Sequence, residues 1–556
     1  MLAAVFVLGA VLSACGKPNS QDSSGSSGSP SASSTPTAAV EPFVNGKFDP
    51  PVTLTTWGCY NKSSKFKDGE TFEKNTALDW MKSQLGVEIK YPWTSQWEND
   101  ACMTKMRLSL STNEPLPDVV FAGTDDAGRQ MIKDLIETGQ FVDVTELFEK
   151  YASESYKDIL RKHPEIWDVA SKDGKRYGIP ITVDPYGNDP VLYFREDWLK
   201  KLNMQAPTTL EELEKVLDAF TNQDPDGNGK NDTLGMVISG KDSIFGGGIA
   251  NASWVYGAYG VMPGYWTKSD NGTLQYGSIQ PQAKEALETL KSWFEKGYID
   301  PEFGVKDGGK AAELVTSGKA GLIAGPYWLP ISPLPNLKKN IPTASMIPVG
   351  LPSGPNGLIG RNSGNAVSGV YLVNKNAKNP EALIVVLNKM LQFSLKEKGS
   401  DVEFGFVEGF DYTMEDGKAV ASTENRFDKL LLNGNAMPMI PEYNLDSLAY
   451  LATGGEPRNG FDQANAAYVD AHLPGKVLND QLDRSEIINL FTGAPTATMS
   501  SKWEGLKKME AEVFAKIVYG KEPVSAFDDF VSKWKSAGGD TITQEVNDWY
   551  QGLQKK

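Results

Sequence analysis

The sequence predicts an α/β fold with a parallel-rich sheet. Three observations predict it. Short β-rich runs alternate with helix-spaced runs in the first quarter of the chain. The same strand–turn–helix pattern returns near residues 178, 317 and 365. At 556 residues and 40% hydrophobic content, the chain is long enough for more than one globular domain.

The first element is MLAAVFVLGAVLSAC, residues 1–15. This apolar run is too short to span a bilayer and ends in small residues before a Cys, as a signal peptide does over 1–14. Leu12–Cys15, LSAC, resembles the bacterial lipobox, in which the Cys thiol takes a diacylglycerol. Cys15 is therefore the expected lipidation site, with palmitate-type chains as the membrane anchor. No Lys or Arg precedes the apolar run, so the expected start lies upstream of Met1. Residues 16–42 are almost pure Ser, Gly, Pro and Thr and cannot bury a core. Residues 15–48 are read as a lipid-anchored flexible tether.

The body begins with VTLTTWG (52–58), which alternates and reads as a strand. TALDWMKSQLG (76–86) has helical spacing and a terminal Gly. VEIKYPW (87–93) is a strand, NDACMTKMRLSLSTNE (99–114) a helix, PDVVFAG (117–123) a short buried strand and AGRQMIKDLIETGQ (127–140) a helix. In such sheets ligands meet the loops at the carboxyl ends of strands. That singles out Trp57–Tyr60 and Gly123–Asp125.

Composition removes several functions. The formal charge is −16, from 71 acids against 55 bases. Nucleic acid and anionic lipid both need clustered cations, so neither is an expected partner. Only His163 and His472 are present, and neither lies in an HExxH or GxSxG setting. A His-based hydrolase is not expected, and no nucleophile motif or phosphate loop points to an enzyme. With Cys15 lipidated, Cys59 and Cys102 remain; a disulfide and two buried thiols both stay open.

The order of pieces resembles the extracellular solute-binding lipoproteins of ABC sugar importers, the large group common in Gram-positive bacteria. The resemblance rests on YFREDWLKKLNMQAPTTLEELEKVLDAF (193–220), QPQAKEALETLKSWFEKGYIDPEF (280–303), SGKAGLIAGPYW (317–328) and the stretch 491–550. It implies a periplasmic-binding-protein-like fold: two α/β lobes, a hinge, a ligand cleft and extra C-terminal helices. The lobes are placed at 49–183 plus 350–415 and at 184–349 plus 416–556. It also implies an oligosaccharide ligand, ABC permease partners and a monomer held at the extracellular face of the membrane.

DPDGNGKND (224–232) has calcium-loop spacing. Asp224, Asp226, Asn228 and Asp232 take positions 1, 3, 5 and 9, with Gly229 at the sharp turn and Lys230 where a carbonyl would serve. Position 12 is Gly235, so the bidentate Glu of an EF-hand is missing. A structural Ca²⁺ is the favoured reading, and related alginate-binding proteins hold such an ion. A Gly/Asn/Asp turn without metal is the alternative.

A sugar site needs stacking aromatics and planar polar groups. The candidates are Trp57, Tyr60, Thr124, Asp125, Asp184, Tyr186, Trp254, Tyr256, Tyr327, Trp328, Arg361 and Asn365, with Trp254 and Trp328 foremost. For each aromatic alone, core packing competes with ligand contact. Two rival functions remain. One is a peptide receptor on the same two-lobe plan. The other is a glycosidase using a carboxylate pair such as Asp125 and Asp184.

Overall fold

A computed structural model describes residues 43–554, apart from 45, 63, 113, 242–243, 247, 416–417, 422–431 and 433–436. The signal peptide, Cys15 and residues 15–42 of the tether lie outside the described residues. Phe43–Val44 and Lys47–Phe48, read as tether, form a small antiparallel pair. Phe48 is fully buried. An apolar side chain that can reach a core does not remain in a solvated linker.

The first body is built on a β-α-β unit. Val52–Thr55 lies parallel to Val87–Lys90, and helix Thr76–Leu85 connects them. Asn75 starts that helix by accepting a hydrogen bond from the Leu78 amide, satisfying one of the open N-terminal groups. Gly86 ends it at φ 67°, where a Cβ would meet the Phe48 carbonyl oxygen at 2.1 Å. Val52, Leu54, Val87 and Ile89 point inward, as strand alternation requires.

The sheet is less parallel than its pattern suggests. Val119–Gly123 runs antiparallel to Val367–Val373, which runs antiparallel to Gly178–Thr182. The strand Val367–Val373 is inserted from far along the chain, and local periodicity carries no signal for such pairing. Cys59, on strand Gly58–Tyr60, and Cys102, on helix Ala101–Ser111, form a disulfide with Cα atoms 6.0 Å apart.

The second body has a four-stranded sheet. Its order is Leu234–Val237, Ala320–Gly325, Val191–Arg195 and Met346–Val349. Helix Leu210–Asn222 is capped by Thr209 and buries Leu213, Leu217 and Phe220 against this sheet. The C-terminal helices Met499–Val518, Ala526–Trp534 and Asp540–Gln554 complete it. Phe514, Phe530, Trp534 and Val546 are fully or almost fully buried there. Each such side chain contributes roughly 1.5–3 kcal/mol relative to exposure.

The largest buried cluster on each sheet marks one lobe. One gathers residues such as Val119, Ile179, Tyr371 and Leu387, and the other Leu192, Trp254, Leu322 and Phe514. Leu351 packs in the second core and Leu432 in the first. Between the lobes the chain passes three times. After Thr182 it leaves the first sheet and enters the second at Val191. It returns through residues 363–366 to Val367. Met439 donates its amide to the Thr182 carbonyl at 3.0 Å before helix Tyr443–Ala452 begins in the second lobe.

Candidate functional site

The three crossings lie side by side. Gly364 donates its amide to the Pro185 carbonyl at 3.2 Å, and a Cβ at Gly364 would meet that oxygen at 2.6 Å. Only a glycine lets these two segments come so close. Beneath them sits a buried polar network. Arg361 and Asp189, each 1% exposed, form an ion pair, and Arg361 Nε donates to Ser485 Oγ at 3.1 Å. Burial pushes Asp189 up to about 7 against the pull of Arg361. Asp184 accepts from the Tyr186 amide at 2.8 Å, Tyr327 Oη at 2.7 Å and Asn444 Nδ2 at 3.2 Å. Burial also raises Asp184, and these three donors oppose the shift.

Above this floor a cleft opens between the lobes, in two halves that share Arg129. The polar half, so called for its charged rim, is lined by Thr124, His163 and Glu165 from the first lobe, with apolar Ile166, Val169 and Val367 among them. Tyr186, Asn365 and Glu442 come from the crossings, and Glu486 and Thr492 from the second lobe. His163 Nε2 lies 2.7 Å from Glu442 and its Nδ1 3.4 Å from Glu165. The other half is aromatic, with Phe245, Trp266, Tyr276, Phe491 and Trp503 on its walls. Trp503 stacks near Trp266 with centroids 6.5 Å apart, and Arg129 lies 5.9 Å over the Phe491 ring. At the back of this half Glu510 accepts from Tyr276 Oη at 2.9 Å and Ser278 Oγ at 2.7 Å. Complete burial pushes its carboxyl up to about 7 despite those two donors. Two buried donors on the aromatic half, Arg129 Nε and Trp266 Nε1, have no partner among the described residues.

A cleft walled by two lobes and floored by their connections is a ligand-capture geometry. Residues 63–399 match the bacterial extracellular solute-binding protein family. The chain belongs to this family. This solute-binding protein is 24% identical over 486 residues to the polygalacturonan/rhamnogalacturonan-binding protein YtcQ of Bacillus subtilis (strain 168). The match covers 86% of this chain and 88% of that relative. It is 25% identical over 488 residues to lipoprotein LipO of the same organism, covering 86% and 89%. Among solved structures it resembles the alginate-binding protein AlgQ2 without calcium ion, at TM-score 0.59 and 20% identity. That likeness covers 90% of this chain and 98% of AlgQ2, and it shows the shared fold.

The solute-binding protein brings some of the sequence candidates together. Thr124, Tyr186 and Asn365 line the polar half of the cleft. Asp184 and Tyr327 meet each other in the floor. Arg361 lies under Tyr186, 5.4 Å from its ring, bonded to buried Asp189 and Ser485. Trp328 is half-buried and donates its indole N–H to the Gly187 carbonyl at 2.7 Å.

Others take structural places. Asp125 caps helix Asp126–Glu137 by accepting from the Gly128 amide at 2.7 Å. Trp57 is 2% exposed and stacks on Trp93, and half-buried Tyr60 stacks on Phe72. Trp254 and Tyr256 lie on the short helix Ser253–Gly257 and are buried in the second core, against Trp293 and Phe514. Their Gly-rich surroundings read as loop, but Gly257 serves a close approach of the Gly360 backbone.

Sequence reasoning missed Arg129, Glu442, Glu486, Phe491, Trp503 and Glu510. One signal was available for the last. Met499, Leu506, Glu510, Phe514 and Ile517 are the buried face of one helix, and a lone carboxylate in an apolar stripe marks a special site.

Loop 224–232 is tightly turned by its own side chains. Asp224 accepts from the amides of Gly227, Asn228 and Gly229 at 3.0–3.1 Å. Gly229 has φ 77°, as its position in the motif requires. Asn228 Nδ2 donates to Asp226 Oδ2 at 2.7 Å and Asp232 Oδ1 at 2.9 Å, bridging carboxylates that would otherwise repel. Among the described residues no group of three or more His, Cys, Asp or Glu stands as a ready metal cluster. The donor set still fits a hard cation after one change: a half-turn of the Asn228 amide would replace its N–H donors with an oxygen.

Proposed function

We propose that this solute-binding protein captures an oligosaccharide in the interlobe cleft and delivers it intact to an ABC permease. The observation that carries this reading is the pairing of an aromatic half with a polar half around Arg129. Sugar rings offer apolar C–H faces to indole and phenol rings, and their hydroxyls need acceptors and donors at the edges. The names of YtcQ and AlgQ2, binders of acidic polysaccharides, support the carbohydrate class. A ligand touching both lobes selects the closed arrangement by differential affinity.

The ligand contacts are assigned to Thr124, Tyr186 and Asn365 on one side, and to half-buried Trp503 on the other, with Trp266 and Phe491 packed behind it. Asp184, Tyr327 and Arg361 hold the floor. The lobes are assigned to 49–183 with the segment from Val367 through Leu432, and to 184–365 with the segment from Tyr443 onward. Anchoring through lipid on Cys15 places the protein at the outer face of the membrane as a monomer. LipO, a lipoprotein by name, supports this anchoring. Loop 224–232 holds a structural Ca²⁺ through Asp224, Asp226, Asn228, Asp232 and the Lys230 carbonyl.

Binding without turnover is the expected chemistry. Asp125 and Asp184, the imagined catalytic pair, are spent on a helix cap and on the floor network. The test is calorimetric titration with a panel of oligosaccharides and recovery of each sugar afterwards. Saturable binding with the sugar recovered intact supports the reading; release of new reducing ends refutes it.

A further inference from the structure

Resting on the oligosaccharide reading of the cleft, we propose that the site selects uncharged oligosaccharides and rejects those bearing uronate carboxylates. The walls are acidic. Glu165, Glu442 and Glu486 stand in the polar half with side chains 66%, 46% and 39% exposed. Asp126 lines the aromatic half, 42% exposed.

The cations facing these carboxylates are fewer and already committed. Arg129 donates Nη1 to the Thr124 carbonyl at 3.2 Å and Nη2 to Asp126 Oδ1 at 2.6 Å. Its Nε is buried without a partner among the described residues, and the guanidinium is already paired with Asp126, so its charge is largely answered before a ligand arrives. Lys507 sits 2.7 Å from Glu504 and 3.6 Å from Asp126. Arg361 is buried with Asp189 and reaches Glu486 at 3.6 Å. His163 stands between Glu165 and Glu442. A uronate entering this cleft brings a negative charge to glutamates and finds no uncommitted cation among the described lining residues.

The same groups suit a neutral sugar. A carboxylate accepts protons from hydroxyls, one or two at a time, without charge conflict. Half-buried Trp503 offers a ring face that needs no charge on the ligand. A cleft with low-dielectric walls concentrates the field of its fixed charges, so the discrimination acts on entry as well as on binding.

The experiment titrates the protein calorimetrically with a panel of neutral oligosaccharides. Each is matched to its C6-oxidised counterpart, in which primary alcohols have become carboxylates, and to the methyl ester of that acid. The best neutral member is expected to bind at least roughly tenfold more tightly than its acid form, a gap of one decade in Kd. The ester should recover most of that loss. Added salt and the double variant Glu442→Gln/Glu486→Gln should both narrow the gap, because they screen or remove the repelling charges. An acid form that binds as tightly as its neutral partner overturns the proposal while leaving the oligosaccharide reading in place. A gap unmoved by salt, ester and double variant also overturns it, since shape rather than charge would then discriminate. Binding of no panel member overturns both readings together.

Discussion

Lys507 Nζ lies 3.6 Å from Asp126 Oδ2, and this contact joins the two lobes across the aromatic half of the cleft. Asp126 opens a helix of the first lobe, whereas Lys507 projects from the long C-terminal helix of the second. Both side chains are about two-fifths exposed, 42% and 40%, so solvent screens the pair. The Lys507→Gln variant should therefore cost under about 1 kcal/mol of stability in urea unfolding. Its effect should appear instead in the opening of the lobes, read as a larger radius of gyration at low salt. A loss of several kcal/mol would mean the pair is part of the fold.

Glu510 gives a pH dependence with a definite sign. Its carboxyl has an ordinary value of 4.5 and is raised to about 7 in the folded chain, chiefly by burial. Between those values the folded chain holds a proton that the unfolded chain releases. Its contribution is most favourable below about 4.5 and is lost as pH rises through about 7. The full loss is on the order of 3 kcal/mol, at 1.36 kcal/mol per pH unit. Glu510→Gln stays neutral, so its melting advantage over the parent should grow from pH 5 to pH 8. An advantage that is flat across that range would show that Glu510 ionises freely.

Arg361 and Asp189 hold the crossings together from inside. Removing one partner leaves the other charge buried and alone, which costs about 3–5 kcal/mol. Arg361→Ala should lose that much, measured by denaturant unfolding. Arg361→Leu combined with Asp189→Leu should recover a large part, because no orphaned charge remains. Equal losses in the single and double variants would count against this account.

Calcium should act on stability more than on affinity. Loop 224–232 lies outside both halves of the cleft, between helix Leu210–Asn222 and strand Leu234–Val237. Chelation should lower the melting midpoint, because an ion bound only to the folded state stabilises it. Sugar affinity at low temperature should change little. A large affinity loss without unfolding would contradict a purely structural ion.

Much of the first lobe was legible because its signals are local. Asn75 and Gly86 bracket a helix within a dozen residues, and the structure starts and ends it there. The antiparallel insertion of Val367–Val373 was not legible, because both its partners lie far earlier in the chain, at Val119–Gly123 and Gly178–Thr182. The site divides the same way. Thr124 was singled out by asking where strand ends lead, and Tyr186 and Asn365 as aromatic and polar side chains in loops; all three line the cleft. Trp503 and Glu510 were not singled out because helix periodicity explains them as packing, and Phe491 because a lone aromatic in a loop carries no local signal. Trp254 and Tyr256 were over-read for the opposite reason: glycines around them suggested an exposed loop, where tight packing was the cause.

The most direct test of the central claim is a melting experiment on three proteins: the parent, Tyr186→Ala and Trp503→Ala. Each is heated with and without the oligosaccharide that the parent binds best. A cleft that closes on sugar predicts a raised midpoint for the parent, a smaller rise for each variant, and sugar recovered whole. No rise with any oligosaccharide, or rises of equal size in all three proteins, would contradict capture in this cleft.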